Sequence, residues 1–176
     1  MGLFSRKPKV PKIDLAVSEE HKKRMREVFD ETVEEGGAFK ILYGYSSTSK
    51  YERGFFIDTN TTTFYEYIIG YRVSDDQIVM VQVSPDLAQH SEAFYLEMDK
   101  VVNVTHYPKL DQVCLQYEKG YPTYGEILNI KDLSGKSVLG LANLEQGAER
   151  EAFLDFLESF RKKLAGKGYK LEKWKR

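Results

Sequence analysis

The side chains best suited to hold a metal ion are His21, His90 and His106, which fall on a helix, a loop and a strand and lie far apart along the chain. Metal sites bring their ligands in at close, structured spacings, such as two histidines one helical turn apart. This spacing predicts no metal centre. Cys114 is the only cysteine, which excludes an internal disulfide framework and a cysteine-rich zinc site. Its setting, Val113-Cys114-Leu115, reads as a strand that buries a small thiol; a nucleophile would also need an adjacent base. Leu133-Ser134-Gly135-Lys136-Ser137 ends like a phosphate loop. A phosphate loop needs a glycine five residues before Gly135, and that position is Ile130. Asp132 to Lys136 therefore reads as a hairpin turn. No catalytic residue, cofactor or metal is implied.

Charge is the most informative feature of the composition. The net charge is −1, but residues 1–12 carry Arg6, Lys7, Lys9 and Lys12 with no acid, after the apolar Leu3 and Phe4. At the other end, Lys170, Lys173, Lys175 and Arg176 surround Tyr169, Leu171 and Trp174. The body between is strongly acidic. Each basic residue near an anionic bilayer contributes about 1 kcal/mol, and Trp favours the interface; nucleic-acid phosphates would attract the same residues, with a strong salt dependence. The candidate contacts for an anionic surface are thus Arg6, Lys7, Lys9, Lys12, Lys170, Lys173, Trp174, Lys175 and Arg176. The alternatives are solvated ends and tails folded back onto the acidic body. Tyr43, Tyr45, Tyr65, Tyr67 and Tyr71 offer a ligand groove or a peptide-binding face if exposed, and core if not.

No apolar run is as long as a membrane span or a signal-peptide core. The opening Met-Gly-Leu-Phe-Ser-Arg lacks the Ser or Thr at position 6 that myristoylation requires. The expected location is cytoplasmic, with peripheral membrane association as the alternative.

The elements that position these residues follow from periodicity. Residues 1–17, with Pro8 and Pro11 among basic residues, read as a flexible basic arm. A helix is predicted from Ser18, capped by that serine, helped by Glu19 and Glu20, and stopped by Gly36-Gly37. After Gly37 the pattern alternates. Strands are predicted at 39–45, 54–58, 63–73, 77–83, 92–97, 101–106, 112–118, 124–130 and 136–142, with Ser46 to Lys50 as a loop and Ser74-Asp75-Asp76 as a tight turn. Glu145 to Leu164 places Phe153, Leu154, Phe156, Leu157, Phe160 and Leu164 on one helical face, and Gly166 ends that helix. The fold class is α+β: an N-terminal helix, an antiparallel sandwich or barrel of about seven strands, and a closing amphipathic helix. Residues 18–166 form one globular domain and residues 167–176 a basic tail.

About seven antiparallel strands closed by one amphipathic helix resemble the pleckstrin-homology-like (PH-like) fold found in bacterial PH-like domains, over roughly residues 38–165. Many eukaryotic members carry a Trp in the closing helix, where this chain has Phe153, Phe156 and Phe160. Members that bind phosphoinositides place basic residues around the first hairpin; here the corresponding candidates for anion contact are Lys40, Lys50 and Arg53. With no catalytic signature in the chain, the expected function is a non-catalytic binding or scaffolding module whose partner is a protein. The rival expectations are a peripheral membrane module that uses the basic termini, and a small enzyme whose dispersed site gathers His106, Cys114 and carboxylates. Nucleic acid is the less favoured partner.

Overall fold

The computed structural model describes residues 13–53, 59–120, 125–130, 141, 143–171 and 173–175. Helix α1 (Leu15–Thr32) precedes seven strands: β1 (Lys40–Glu52), β2 (Thr59–Arg72), β3 (Gln77–Val83), β4 (His90–Tyr95), β5 (Val101–Tyr107), β6 (Gln112–Tyr117) and β7 (Gly125–Asn129); helix α2 (Gly147–Gly166) follows. The strands form one antiparallel sheet in the order β4-β3-β2-β1-β7-β6-β5. It is two meanders joined at a narrow seam, since β1 meets β7 at a single register pair, Tyr45↔Asn129. Its end strands, β4 and β5, do not pair, so the α+β class holds and the sheet stays open instead of closing into a barrel.

A helix lies on each face of the sheet. On one face Met25, Val28 and Phe29 of α1 pack with Tyr43, Ile68, Val79 and Val81. Gly70 makes room for this docking: a Cβ there would lie 2.1 Å from Cζ of Phe29. On the other face Phe153, Phe156, Leu157 and Phe160 of α2 are buried with Leu42, Ile69, Tyr71, Val104, Leu115 and Leu128, as the apolar stripe of α2 requires. Ion pairs tie the helices to their surroundings, among them Lys22 with Glu149 at 2.8 Å, Arg150 with Asp111 at 2.7 Å and Lys163 with Asp76 at 2.6 Å.

Two elements depart from the sequence pattern. Helix α1 begins at Leu15, not Ser18, because the Asp14 carboxylate caps it, accepting from the N–H groups of Ala16 at 3.1 Å and Val17 at 3.3 Å. Ser18 is instead buried inside the helix, where its hydroxyl accepts from the Glu145 N–H at 3.0 Å, just ahead of α2. Secondly, Ser46 to Lys50 is not a loop. Strand β1 runs through it, held in unbroken register with β2 from Lys40↔Tyr71 to Glu52↔Thr59. The expected strands at 54–58 and 136–142 lie largely outside the described residues, as does the Asp132–Lys136 turn.

Candidate functional site

The outer half of the β1–β2 pair is a two-stranded ribbon, beside which no other strand lies among the described residues. Strand β3 accompanies β2 only as far as Glu66↔Val83, and β7 leaves β1 after Tyr45↔Asn129. Beyond those points seven register pairs, Ser46↔Tyr65 through Glu52↔Thr59, continue with no further strand on either side among the described residues. At about 3.3 Å per residue the ribbon extends about 20 Å past the sheet. Thr59 to Phe64 are all exposed. Side chains alternate across it. Tyr45, Ser47, Ser49 and Tyr51 share the α1-side face with Asn60, Thr62 and Phe64; there the Tyr45 and Phe64 rings lie 6.2 Å apart, and the Ser49 and Thr62 hydroxyls hydrogen-bond at 3.0 Å.

Near the root of the ribbon, amide side chains stand in for a strand along the β1 edge. Gln146, just before α2 and buried, accepts from the Tyr43 N–H at 2.8 Å and donates to the Tyr43 carbonyl at 2.9 Å. One step further out, Asn129 Nδ2 donates to the Tyr45 carbonyl at 3.0 Å. A cleft of about 130 Å³ beside Gln146 is lined by Lys22, Met25, Arg26, Leu144 and Glu149. That is below the size of a pocket for a drug-sized ligand, roughly 300–1,000 Å³.

The C-terminal tail folds onto the opposite end of the sheet. Trp174 packs with Leu171 against the α2-side core. Its ring lies 5.6 Å from that of His106 on β5, and Arg161 of α2 stands 5.9 Å from its centre. The His106 Nδ1–H donates to the Lys175 carbonyl at 2.7 Å. Trp174 is therefore turned inward while Lys167, Lys170, Lys173 and Lys175 are exposed.

The other residues singled out by the sequence are scattered. Lys40 and Lys50 sit ten residues apart on one extended strand, about 30 Å at the usual rise. Lys40 is thus at the start of β1, opposite Tyr71 within the sheet, and Lys50 and Arg53 are near the far end of the ribbon, so the three do not converge on one anion. Arg6, Lys7, Lys9, Lys12 and Arg176 lie outside the described residues. Tyr43 and Tyr71 are core. Tyr67 packs against the α2-side cluster and Tyr65 shares that face of β2, opposite to Tyr43 and Tyr45, so the tyrosines do not form a common groove. Among the described residues no cluster of His, Cys, Asp or Glu is arranged to hold a metal ion.

Electrostatics set the reactivity of what remains. Burial, with a lesser contribution from Glu126, pushes the Cys114 thiol up, and burial raises the Glu126 carboxyl. Since the thiolate is the reactive form, Cys114 is held in its inert state. Burial raises the Tyr43 phenol strongly, with Glu66 adding to the effect. Burial and then Asp155 and Glu149 push Tyr71 up to about 12. Both stay protonated at neutral pH. The ribbon was only partly legible in the sequence: the expected strand at 63–73 reaches Thr63 to Tyr65, whereas the serine-rich stretch Ser46 to Lys50 has no apolar alternation and reads as a loop. No helix among the described residues is long and apolar enough to cross a membrane. No family model, curated protein or solved structure matches this chain.

Proposed function

We propose that the chain is a non-catalytic binding module of the PH-like class that engages a partner protein through the β1–β2 ribbon. The outer edge of β2 from Thr59 to Tyr65, which no other strand covers among the described residues, carries this proposal. A two-stranded ribbon alone in water is marginal, and three or more strands are needed for independent stability. A strand from a partner supplies the missing main-chain hydrogen bonds, while alternate side chains supply specificity. The meander order β4-β3-β2-β1-β7-β6-β5, with α2 packed on one face, supports the PH-like class. A binding role is further supported by the groups that reactive chemistry would use: the Cys114 thiol is buried and protonated, and the His106 ring is committed to the tail.

A photo-crosslinking side chain placed at Thr61 or Thr63 should yield discrete protein adducts in the native cells, and one placed at exposed Lys119 should not. Adducts of equal yield from all three positions, or none from the ribbon, would overturn the ribbon as the binding element. A second reading, docking of the tail on an anionic membrane surface, is favoured by the exposure of Lys167, Lys170, Lys173 and Lys175. It is weakened by the inward turn of Trp174, the residue best suited to the interface.

A further inference from the structure

We propose that the strand covering the ribbon is β2 of a second copy of this chain, paired antiparallel about a two-fold axis at Thr62; this rests on the ribbon being the binding element. Natural sheets protect their edges with charges, prolines or bulges. The end strands of this sheet do so. Strand β4 carries His90 and Glu92 and is offset from β3 by a register shift between Val81 and Val83; β5 has a shift between Val101 and Asn103 and is followed by Pro108. The free stretch of β2, Thr59-Asn60-Thr61-Thr62-Thr63-Phe64-Tyr65, has no charge, no proline and no glycine, and its register with β1 runs without a shift. Among the described residues it is therefore an unprotected edge, and every residue in it except Asn60 favours strands. With no charge to select a partner of opposite sign, it meets its own copy without setting like charges together.

Geometry fixes the register. The free stretch ends at Tyr65 because Val83 occupies the edge at Glu66. Two copies overlap along the whole stretch only when Thr59 faces Tyr65, Asn60 faces Phe64, Thr61 faces Thr63 and Thr62 faces itself. Sliding in one direction drives β2 into β3 of the second copy; sliding in the other leaves edge uncovered. The result is a four-stranded antiparallel sheet, β1-β2-β2-β1, with an isologous interface. It has the three or more strands that the ribbon alone lacks. Threonines face threonines at its centre, a favourable cross-strand pairing, and Phe64 packs over Asn60 at each end.

The register makes a specific test available, because the only residue that faces its own copy is Thr62. The full chain should show a monomer–dimer equilibrium by sedimentation across a dilution series. Thr62→Lys and Thr62→Glu each place like charges face to face, and each should weaken self-association by about tenfold or more. Within the chain Thr62 faces the neutral Ser49, so neither variant disturbs a charge in its own ribbon. Mixed in equal amounts, the two variants should form a heterodimer at least as tight as the parent dimer, which also shows that both are folded. A parent that stays monomeric, variants that self-associate like the parent, or a mixture that does not pair would each overturn the proposal. A monomeric parent whose Thr61 and Thr63 still crosslink to another protein would leave the ribbon as the binding element and remove only the second copy.

Discussion

Replacing Gln146 by Leu tests how α2 is fastened to the sheet. Leucine keeps the bulk of the side chain but removes the two amide contacts to Tyr43, leaving its N–H and carbonyl, now bonded to Gln146 at 2.8 and 2.9 Å, without the amide at a buried position. Each buried polar group left unsatisfied costs about 1–3 kcal/mol, so the pair costs roughly 2–6 kcal/mol. The adjoining cleft of about 130 Å³ admits water, whose share of liquid volume is about 30 Å³. Partial hydration through it places the expected loss in the lower part of that range, about 2–4 kcal/mol. Urea unfolding followed by circular dichroism should show a lower midpoint at an unchanged slope, since the surface exposed on unfolding is nearly the same. Gln146→Glu separates hydrogen bonding from shape. A carboxylate still accepts from the Tyr43 N–H but repels the carbonyl, and burial raises its folded-state pKa above the unfolded value of about 4.3. The part of the deficit due to that charge is therefore absent below about pH 4 and grows as pH rises through the unfolded pKa toward the folded one. A Leu variant with the midpoint of the parent would refute this account, as would a Glu variant whose deficit relative to the parent does not shrink on acidification.

Phe156 is buried beneath α2 with its ring 5.0 Å from that of Tyr71, so Phe156→Ala should lose about 3–5 kcal/mol of unfolding free energy; a change below about 1 kcal/mol would show that the stripe of α2 does not support the core. Cys114 should react with iodoacetamide far more slowly in the native protein than in urea at about pH 8, because burial keeps the thiol protonated and covered; equal rates would contradict its placement. Trp174 is the only tryptophan, so its fluorescence reports the docking of the tail. Acrylamide should quench it less in the native protein than after unfolding, and His106→Ala should raise that quenching. Acidic vesicles at low ionic strength should leave its emission unshifted, and a blue shift would mean that the tail leaves His106 for the membrane.

What the sequence revealed of this fold depended on whether burial left a pattern in it. Helix α2 was legible because Phe153, Phe156, Phe160 and Leu164 recur at helical spacing and are all buried. The start of α1 was not, because Asp14 and Ser18 are equally good caps by residue type, and Ser18 is the one followed at once by acids, Glu19 and Glu20. The tail contact was invisible: His106 and Lys175 are sixty-nine residues apart, and no local period reports such a pairing. The hairpin cations Lys40 and Lys50 stand far apart because the expected loop from Ser46 to Lys50 is strand. That difference has a physical cause. Ser46 to Lys50 has no buried face, so it lacks the alternation by which a strand is recognised; only its register with β2 makes it one. A strand with neither face buried, and with β2 as its only neighbouring strand among the described residues, is weakly specified by local pattern. In the proposed pairing the second copy covers the edge of Thr59 to Tyr65, and Ser46 to Lys50 remains a strand through its register with β2 alone.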